Sequence, residues 1–162
     1  MMHYTWFEQT PVGRLLLAGS DAKLRYLVFD DGSPRKRHPV PRKDWEQSEK
    51  PFRETIRQLN AYFAGKLTNF DVEVEGEGTA FQQRVWKELR NVPYGETVTY
   101  GDIAKAIGQP TASRAVGMAN GRNPISIVVP CHRIIGSSGK LVGYGGGLER
   151  KTKLLKLEGV AV

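Results

Sequence analysis

The sequence predicts an α+β fold: an N-terminal mixed α/β domain with a small antiparallel sheet and a helix, then a mostly helical C-terminal domain with a winged-helix-like helix-turn-helix. Three observations support this prediction. Apolar runs between turn residues fill the first 30 positions, as short strands do. Capped apolar stripes of helical period follow residue 79. The linker-like segment 75–78 separates the two patterns, which places the predicted domains at residues 1–78 and 79–162.

The first three predicted elements are the strands of a meander. Tyr4 and Trp6 lie in the first strand, and 15–17 form an apolar second strand after a turn signal at 10–13. Another apolar run, at 24–29, predicts the third strand. Because the connections are short, we expect neighbouring strands to pair in antiparallel fashion.

A loop, a helix and a short strand are predicted next. Residues 33–43 are Pro-rich and basic, which favours a solvated loop, with phosphate contact as the alternative. The helix predicted over 50–64 carries one apolar stripe, and Gly65 suits the position after its end. Residues 70–75 alternate apolar and acidic side chains, which predicts a short strand. The residues of the helical stripe are Phe52, Ile56, Leu59 and Phe63.

The C-terminal domain begins with capped helices. Thr79 and Gln82 have the spacing of a capping box, and an apolar stripe follows them. Thr99 and Asp102 predict a looser cap for a second helix. The stripe of the first of these helices contains Phe81, Val85, Trp86 and Leu89.

The remaining elements predict a helix-turn-helix followed by a strand and a last helix. Gly108 ends the second helix, and Thr111 is predicted to cap a third helix over 111–120. Two short helices joined by a tight glycine-containing turn are typical of this motif, although many helical hairpins do not bind DNA. The β-branched run at 125–129 predicts a buried strand, and 148–157 predicts the final helix.

The charge of the chain is distributed unevenly. Residues 1–78 contain 12 Lys and Arg against 12 Asp and Glu, whereas 79–162 contain 12 against 5, so the whole net charge of +7 lies in the second half. This asymmetry suggests a polyanionic partner for that half, with a solvated basic surface as the plainer interpretation.

The composition excludes several classes of protein. No run of residues approaches the roughly 20 apolar positions that a membrane span needs, so we expect no membrane partner. The N-terminus lacks the pattern of a signal peptide. With one cysteine, the chain forms no internal disulfide and no zinc site of several cysteines. We therefore expect a cytoplasmic protein.

Cys131 is the first candidate for chemistry. It follows the predicted buried strand and precedes His132, Arg133 and a Gly/Ser-rich loop. Nearby cations lower the pKa of a thiol, and we expect His132 and Arg133 to supply them. A lone cysteine is more often a small buried apolar residue, and the polar residues after Cys131 weaken that interpretation.

Four other residues have both a structural and a functional interpretation. Arg114 lies among small residues, so it is either a solvated helix residue or a side chain that enters a groove of DNA. Tyr100 is either a buried ring or a phenolic donor. Asn123 precedes a proline and fits a turn. Glu158 is either a surface residue or the partner that orients His132.

The run from Ile127 to Ile134, IVVPCHRI, resembles the active-site signature of the O6-alkylguanine-DNA alkyltransferases, the methylated-DNA–protein-cysteine methyltransferase family. Five further blocks match in order over Thr79 to Gly159, and residues 1–78 resemble the variable N-terminal domain of the family. The blocks are Val92-Pro93-Tyr94-Gly95, Thr99-Tyr100-Gly101-Asp102-Ile103-Ala104, Ser113-Arg114-Ala115-Val116-Gly117, Asn123-Pro124-Ile125 and Gly143-Tyr144 with Gly146-Gly147-Leu148.

The resemblance implies direct repair of DNA, with stoichiometric and irreversible transfer of an alkyl group from O6 of a flipped-out guanine to Cys131. His132 would deprotonate Cys131 through a water molecule, and Glu158 would polarise His132. Asn123 would connect the helix-turn-helix to the active-site loop. Tyr100 would help to rotate the nucleotide and would donate a proton to the leaving guanine.

The resemblance also implies two binding surfaces. Arg114 would fill the gap that the flipped base leaves, on a helix that enters the minor groove. Its neighbours on the DNA-binding surface would be Tyr100, Thr111, Ser113, Ala115 and Gly117. The guanine and its alkyl group would be bound by Ile134, Tyr144, Gly145 and Gly146.

The expected partner is double-stranded DNA that contains O6-alkylguanine. We expect a monomer in solution, no cofactor and no zinc; cooperative binding on DNA and activity on O4-alkylthymine stay open. One alternative is a non-enzymatic binder of alkyl lesions or a helix-turn-helix DNA-binding module. Another is a Cys/His hydrolase, which would require an oxyanion hole.

Overall fold

The computed structural model describes residues 1–30, 41–139, 141, 144 and 147–162. Most of the predicted loop at 33–43, and the predicted binding residues Gly145 and Gly146, lie outside these ranges. Among the described residues, no helix has the length and apolar character needed to cross a membrane.

The N-terminal sheet is a meander with one additional strand. Its strands are β1 (His3–Phe7), β2 (Leu15–Ser20), β3 (Lys23–Phe29) and β4 (Glu46–Gln47), in the order β3-β2-β1-β4. The three predicted strands are confirmed, and they pair antiparallel. The fourth strand, which was not predicted, makes the sheet mixed, because β4 pairs with β1 in parallel.

Helix α1 (Arg53–Phe63) follows a 3-10 turn at Lys50–Phe52, which confirms the predicted helix. Gly65 has a φ of +73°, a left-handed conformation that glycine adopts without strain at the end of a helix. Phe52 and Leu59 of the predicted stripe are buried, and Ile56 and Phe63 pack against the core, but the buried face of the helix is broader than the stripe. It contains Thr55, Gln58, Leu59 and Tyr62.

The strand predicted at 70–75 is wrong. Val74 forms a single bridge to Leu24. The Leu24 amide donates to the carbonyl of Glu73, and the Leu24 carbonyl accepts from the amide of Glu75. Farther along the same edge of β3, Leu27 bonds to residues 124–126 instead. Because two separate segments share this edge, neither one forms a continuous strand beside β3.

The C-terminal half contains four helices, among the residues that the structure describes. They are α2 (Ala80–Leu89), α3 (Tyr100–Ala106), α4 (Ser113–Gly121) and α5 (Leu148–Leu157). Both predicted caps are complete capping boxes, with Thr79 paired to Gln82 and Thr99 to Asp102. Helices α3 and α4 pack on each other as the two helices of the predicted motif. The α+β fold class is therefore confirmed.

Thr111 does not cap α4, so that prediction is wrong. The helix starts one residue later than expected, with Ala112 at the N-cap and no side-chain cap. The amide of Ala112 bonds the carbonyl of Gln109, so a backbone turn leads into the helix in place of a threonine cap.

Residues 125–129 are buried, as predicted, but they form a turn and not a strand. The Val129 amide bonds the carbonyl of Ile125, and Ile127 has a φ of +72°. A positive φ is unfavourable for a β-branched residue, so surrounding contacts must hold this turn in place. Beyond the turn, β6 (Ile134–Ile135) pairs in parallel with β5 (Val98–Thr99).

One core joins the two halves of the chain. Leu27 and Tyr62 from the first half lie in the same buried cluster as Leu89, Ile125 and Leu154 from the second. This packing brings Tyr62 of α1 within hydrogen-bond distance of Glu158, which in turn bonds His132.

Candidate functional site

Cys131 lies at the start of a 3-10 turn, Cys131–Arg133, and its exposed fraction is 4%. The Cys131 amide donates to the carbonyl of Val129 at 2.8 Å. The Cys131 carbonyl accepts a hydrogen bond from Asn120 Nδ2 at 3.4 Å. The cysteine backbone is thus fixed both by the turn before it and by helix α4.

Asn123 holds the turn that leads into Cys131. Its Nδ2 donates to the carbonyl of Val129 at 2.9 Å and to that of Ile125 at 3.4 Å. Its Oδ1 accepts a hydrogen bond from the Ile125 amide at 3.0 Å. These three bonds connect the end of α4 to the 125–129 turn and help to stabilise the unfavourable backbone of Ile127.

His132 and Glu158 form a fully buried pair. His132 Nε2 lies 2.7 Å from Glu158 Oε2, and both side chains are 0% exposed. Burial alone would raise the pKa of Glu158, but hydrogen bonds from His132 and Arg133 outweigh it and lower the pKa to about 2. Burial lowers the pKa of His132, so its imidazole is neutral.

The charge on Glu158 determines the tautomer of His132. A carboxylate accepts hydrogen bonds only, so the neutral imidazole carries its proton on Nε2. Nδ1 is then unprotonated, and it has no hydrogen-bond partner among the described residues. His132 therefore presents a basic nitrogen on the side away from Glu158.

Arg133 neutralises Glu158 and does not act on the cysteine. Its Nε and Nη2 lie 2.8 and 3.1 Å from the two carboxylate oxygens, and its Nη1 donates to the carbonyl of Val92 at 2.8 Å. The prediction that Arg133 and His132 supply cations to Cys131 is wrong. Arg133 is paired with Glu158, and burial keeps His132 neutral.

Lys151 is the cation beside the thiol, and sequence reasoning missed it. Burial raises the pKa of Cys131, and Asn123, Tyr144, Lys151 and Ser126 oppose that rise. Lys151 is fully buried, and its Nζ donates to the carbonyl of Ile134 at 2.6 Å. A signal was present in the sequence, because Lys151 shares the helical spacing of the buried residues of α5.

Two of the predicted substrate-binding residues lie within the described ranges, and one of them, Tyr144, interacts with the thiol. Ile134 is completely buried at the start of β6. Burial, and then the charge of the nearby Cys131, raises the pKa of Tyr144 well above its ordinary value. Tyr144 therefore stays a neutral phenol beside the sulfur.

Tyr100 and Gly117 bring the helix-turn-helix close to the cysteine. Tyr100 is half-buried at the start of α3, and its pKa is raised by burial and by the charge of Cys131. A Cβ atom on Gly117 would lie 3.6 Å from the Tyr100 ring. Gly117 of α4 thus lies next to the Tyr100 ring, with ordinary contact distance left for a Cβ atom.

The outer face of the helix-turn-helix is exposed. Thr111, Arg114 and Ala115 are exposed, and Ser113 is partly exposed. Met118, four residues after Arg114, is also exposed, with 66% of its surface accessible. The face combines a cation, small residues and one flexible apolar side chain, which suits the groove of a nucleic acid.

The described parts of the chain contain no group of three or more His, Cys, Asp or Glu side chains that could hold a metal ion. The site instead contains a buried thiol, a neutral imidazole with one basic nitrogen, and a charge-balanced carboxylate. This set can generate a thiolate and use it as a nucleophile.

Comparisons with known proteins identify similar families for both halves. The family described as 6-O-methylguanine DNA methyltransferase, DNA binding domain, matches residues 80–160. The family described as 6-O-methylguanine DNA methyltransferase, ribonuclease-like domain, matches residues 2–75.

Individual relatives are similar along nearly their whole length. The methylated-DNA–protein-cysteine methyltransferase of Methanosarcina acetivorans is 57% identical, over 98% of this chain and 99% of that protein. The O6-methylguanine methyltransferase of Mycobacterium tuberculosis has a solved structure with 53% identity and a TM-score of 0.89, over 98% of this chain and 93% of that chain. A structure of the same mycobacterial protein in complex with DNA has a TM-score of 0.87 at 53% identity, over 96% of this chain and 92% of that one.

Proposed function

The chain belongs to the 6-O-methylguanine DNA methyltransferase family, and on that basis we propose that Cys131 receives the alkyl group. The protein repairs DNA by transferring an alkyl group to a cysteine. Cys131 is the only cysteine of the sequence. The observation that best supports the proposal is its place in one turn with His132, whose ring is bonded to Glu158 at 2.7 Å.

The transfer begins with the thiol proton. Nδ1 of His132 takes it through one bridging water, while Glu158 holds the opposite ring nitrogen and stabilises the charge that forms. Lys151 and the polar groups around Cys131 favour the thiolate against the effect of burial. Since burial disfavours both charges, the ion pair forms as the reaction proceeds and does not persist in the free protein.

Displacement follows at the alkyl carbon. The Cys131 sulfur forms a bond to that carbon, the carbon–O6 bond breaks, and the electron pair leaves with the guanine. Tyr100 donates a proton to the leaving base, and the proton that His132 took from the thiol then restores the Tyr100 hydroxyl, so the net change exchanges an alkyl group for one hydrogen. A thioether is a poor leaving group, so we propose that each protein molecule reacts once and irreversibly.

We propose that the lesion is O6-alkylguanine in double-stranded DNA. Guanine O6 is inside the duplex, so the nucleotide must be flipped out, at a cost of a few kcal/mol. Arg114 fills the vacated position, and the rest of the contact surface is Tyr100, Thr111, Ser113, Ala115 and Gly117. The net charge of +7 in residues 79–162 supports binding to the phosphate backbone.

The remaining assignments complete the proposal. Ile134 and Tyr144, together with Gly145 and Gly146 outside the described residues, bind the flipped base and its alkyl group. Residues 1–78 form a structural domain, and 79–162 carry DNA binding and transfer. We propose that the protein is monomeric in solution and cytoplasmic.

The test of this function is the stoichiometry of repair. A limiting amount of protein is mixed with excess duplex carrying one O6-methylguanine, and the digested DNA is analysed for restored guanine. We expect one guanine per protein molecule, with no further product on longer incubation. Continued turnover would contradict the single-use mechanism, and tight binding without restored guanine would indicate a damage sensor.

A further inference from the structure

Tyr62 connects the N-terminal half of the chain to the His132–Glu158 pair. This tyrosine is fully buried on α1, and its hydroxyl donates to Glu158 Oε2 at 2.6 Å. The same oxygen atom lies 2.7 Å from His132 Nε2. Tyr62, from the N-terminal half, and His132, the proposed base, therefore share one carboxylate oxygen of Glu158.

The other groups that bond Glu158 come from the C-terminal half. Oε1 accepts from Arg133 Nε at 2.8 Å and from the Gly95 amide at 3.3 Å, and Arg133 Nη2 approaches Oε2 at 3.1 Å. Among the described residues, Tyr62 is the one donor to this carboxylate from residues 1–78.

The Tyr62 hydroxyl is held in one position and stays protonated. Its ring contacts those of Phe63, Phe70 and Tyr94, with centroids 5.3 to 6.2 Å apart. Burial and the charge of Glu158 raise the pKa of Tyr62 far above its ordinary value, so the phenol is a donor at any working pH. The donor therefore acts on Glu158 throughout the reaction.

We infer that Tyr62 is a positioning residue for alkyl transfer: its hydroxyl fixes Glu158 Oε2 and limits how strongly that oxygen attracts the proton of His132. This inference rests on the proposed function. It gives the N-terminal domain a part in the reaction besides its packing, because α1 supplies a hydrogen bond to the residue that orients the base.

Loss of the hydroxyl has a definite electrostatic consequence. A hydrogen bond to a carboxylate stabilises its charged form, so without the Tyr62 donor Glu158 attracts protons more strongly. The imidazolium of His132 then becomes easier to form, and His132 is protonated at higher pH. Since only neutral His132 accepts the thiol proton, the acid limb of the rate profile moves to higher pH.

The experiment compares three proteins: the wild type, Tyr62→Phe and Tyr94→Phe. Each reacts with free O6-benzylguanine across a range of pH, and mass spectrometry follows benzyl transfer to the protein. Tyr94→Phe is the matched control, because the Tyr94 hydroxyl bonds the carbonyl of Leu157 at 3.3 Å and not the Glu158 side chain. Free base is used because it removes nucleotide flipping from the measured rate.

At a pH on the acid limb, we expect Tyr62→Phe to react about tenfold more slowly, because the loss of a hydrogen bond to a charged group raises the pH at which His132 becomes neutral. Its acid limb should move to higher pH, while Tyr94→Phe keeps the wild-type profile. A slower Tyr62→Phe protein with an unshifted pH profile would show that Tyr62 only supports the fold, and so would equal losses in both variants.

A second variant keeps the test decisive if Tyr62→Phe does not fold. Replacement of Tyr62 by 3-fluorotyrosine preserves the ring and makes the hydroxyl a stronger donor, so the acid limb should move to lower pH. An unchanged profile in this variant would overturn the inference. A wild-type protein that gains no benzyl mass would instead refute the proposed function, and the inference with it.

Discussion

Replacing Glu158 with alanine is expected to lower the free energy of unfolding by about 3–5 kcal/mol, because it leaves a buried charge without its partner. Arg133 is buried. Its two bonds to the carboxylate would be lost, and its bond to the carbonyl of Val92 would stay. Tyr62 and His132 would lose their shared acceptor as well. Against a total stability of about 5–15 kcal/mol, this loss would be severe.

Urea unfolding measures this loss, and Glu149→Ala provides the control. Glu149 lies in α5, the helix that ends just before Glu158, and forms an exposed pair with Lys153 at 3.4 Å. An exposed pair of this kind contributes little, so the control should change stability by about 0.5 kcal/mol or less. Similar losses in the two variants would refute the special role of the buried pair.

The same carboxylate makes stability depend on pH. The folded pKa of Glu158 is lowered from 4.5 to about 2, so the folded protein binds this proton less readily than the unfolded chain does. The contribution is therefore complete above pH 4.5 and is lost as the pH falls toward 2. In Glu158→Gln, we expect a shallower decline in stability over this pH window.

Replacing Arg114 with alanine is expected to slow the repair of duplex DNA about tenfold or more, which corresponds to about 1.4 kcal/mol or more of lost stabilisation. The reason is that the variant cannot fill the gap left by the flipped nucleotide. Reaction with free O6-benzylguanine should stay within about twofold of wild type, because no base is flipped and Arg114 lies on the exposed face of α4.

Rates with both substrates give the comparison, and Arg57→Ala serves as the charge control. Arg57 lies on α1 and pairs with Glu54, so its loss removes the same charge from the other half of the chain. Equal losses on duplex and free base in Arg114→Ala would argue against the proposed role of Arg114. Equal losses in both variants on duplex would indicate a net-charge effect alone.

Local patterns predicted most of the secondary structure. The three strands of the meander and helices α1, α2, α3 and α5 lie where periodicity and turn residues indicated. Capping boxes at Thr79 and Thr99 fixed two helix starts, because both partners lie within one turn of the chain. Such features depend on neighbours in sequence and can be recognised without the fold.

The errors occur where distant contacts decide the local structure. The apolar run at 125–129 has the composition of a buried strand, but Asn123 bonds it into a turn. The buried face of α1 includes Tyr62, which the predicted stripe missed, because the opposing surface belongs to the C-terminal half. Pairing of β4 with β1 likewise depends on tertiary structure, since two residues carry no pattern of their own.

The candidate site was predictable in its residue types but not in its electrostatics. Sequence reasoning named Cys131, His132 and Glu158 from the residues and the resemblance together, and the structure joins the last two at 2.7 Å. It assigned the cationic role to the neighbours of Cys131 in sequence. The structure gives that role to Lys151, which is 20 positions away and reaches the site through the packing of α5.

The most direct test of the central claim is peptide mass spectrometry after reaction with duplex DNA that contains O6-methylguanine. The account predicts the mass of one methyl group on the peptide containing Cys131, at a limit of one per protein, and none on Cys131→Ala under the same conditions. The alanine variant should still bind the alkylated duplex. A methyl group on another residue, or a wild-type protein that binds the duplex and gains no mass, would contradict the account.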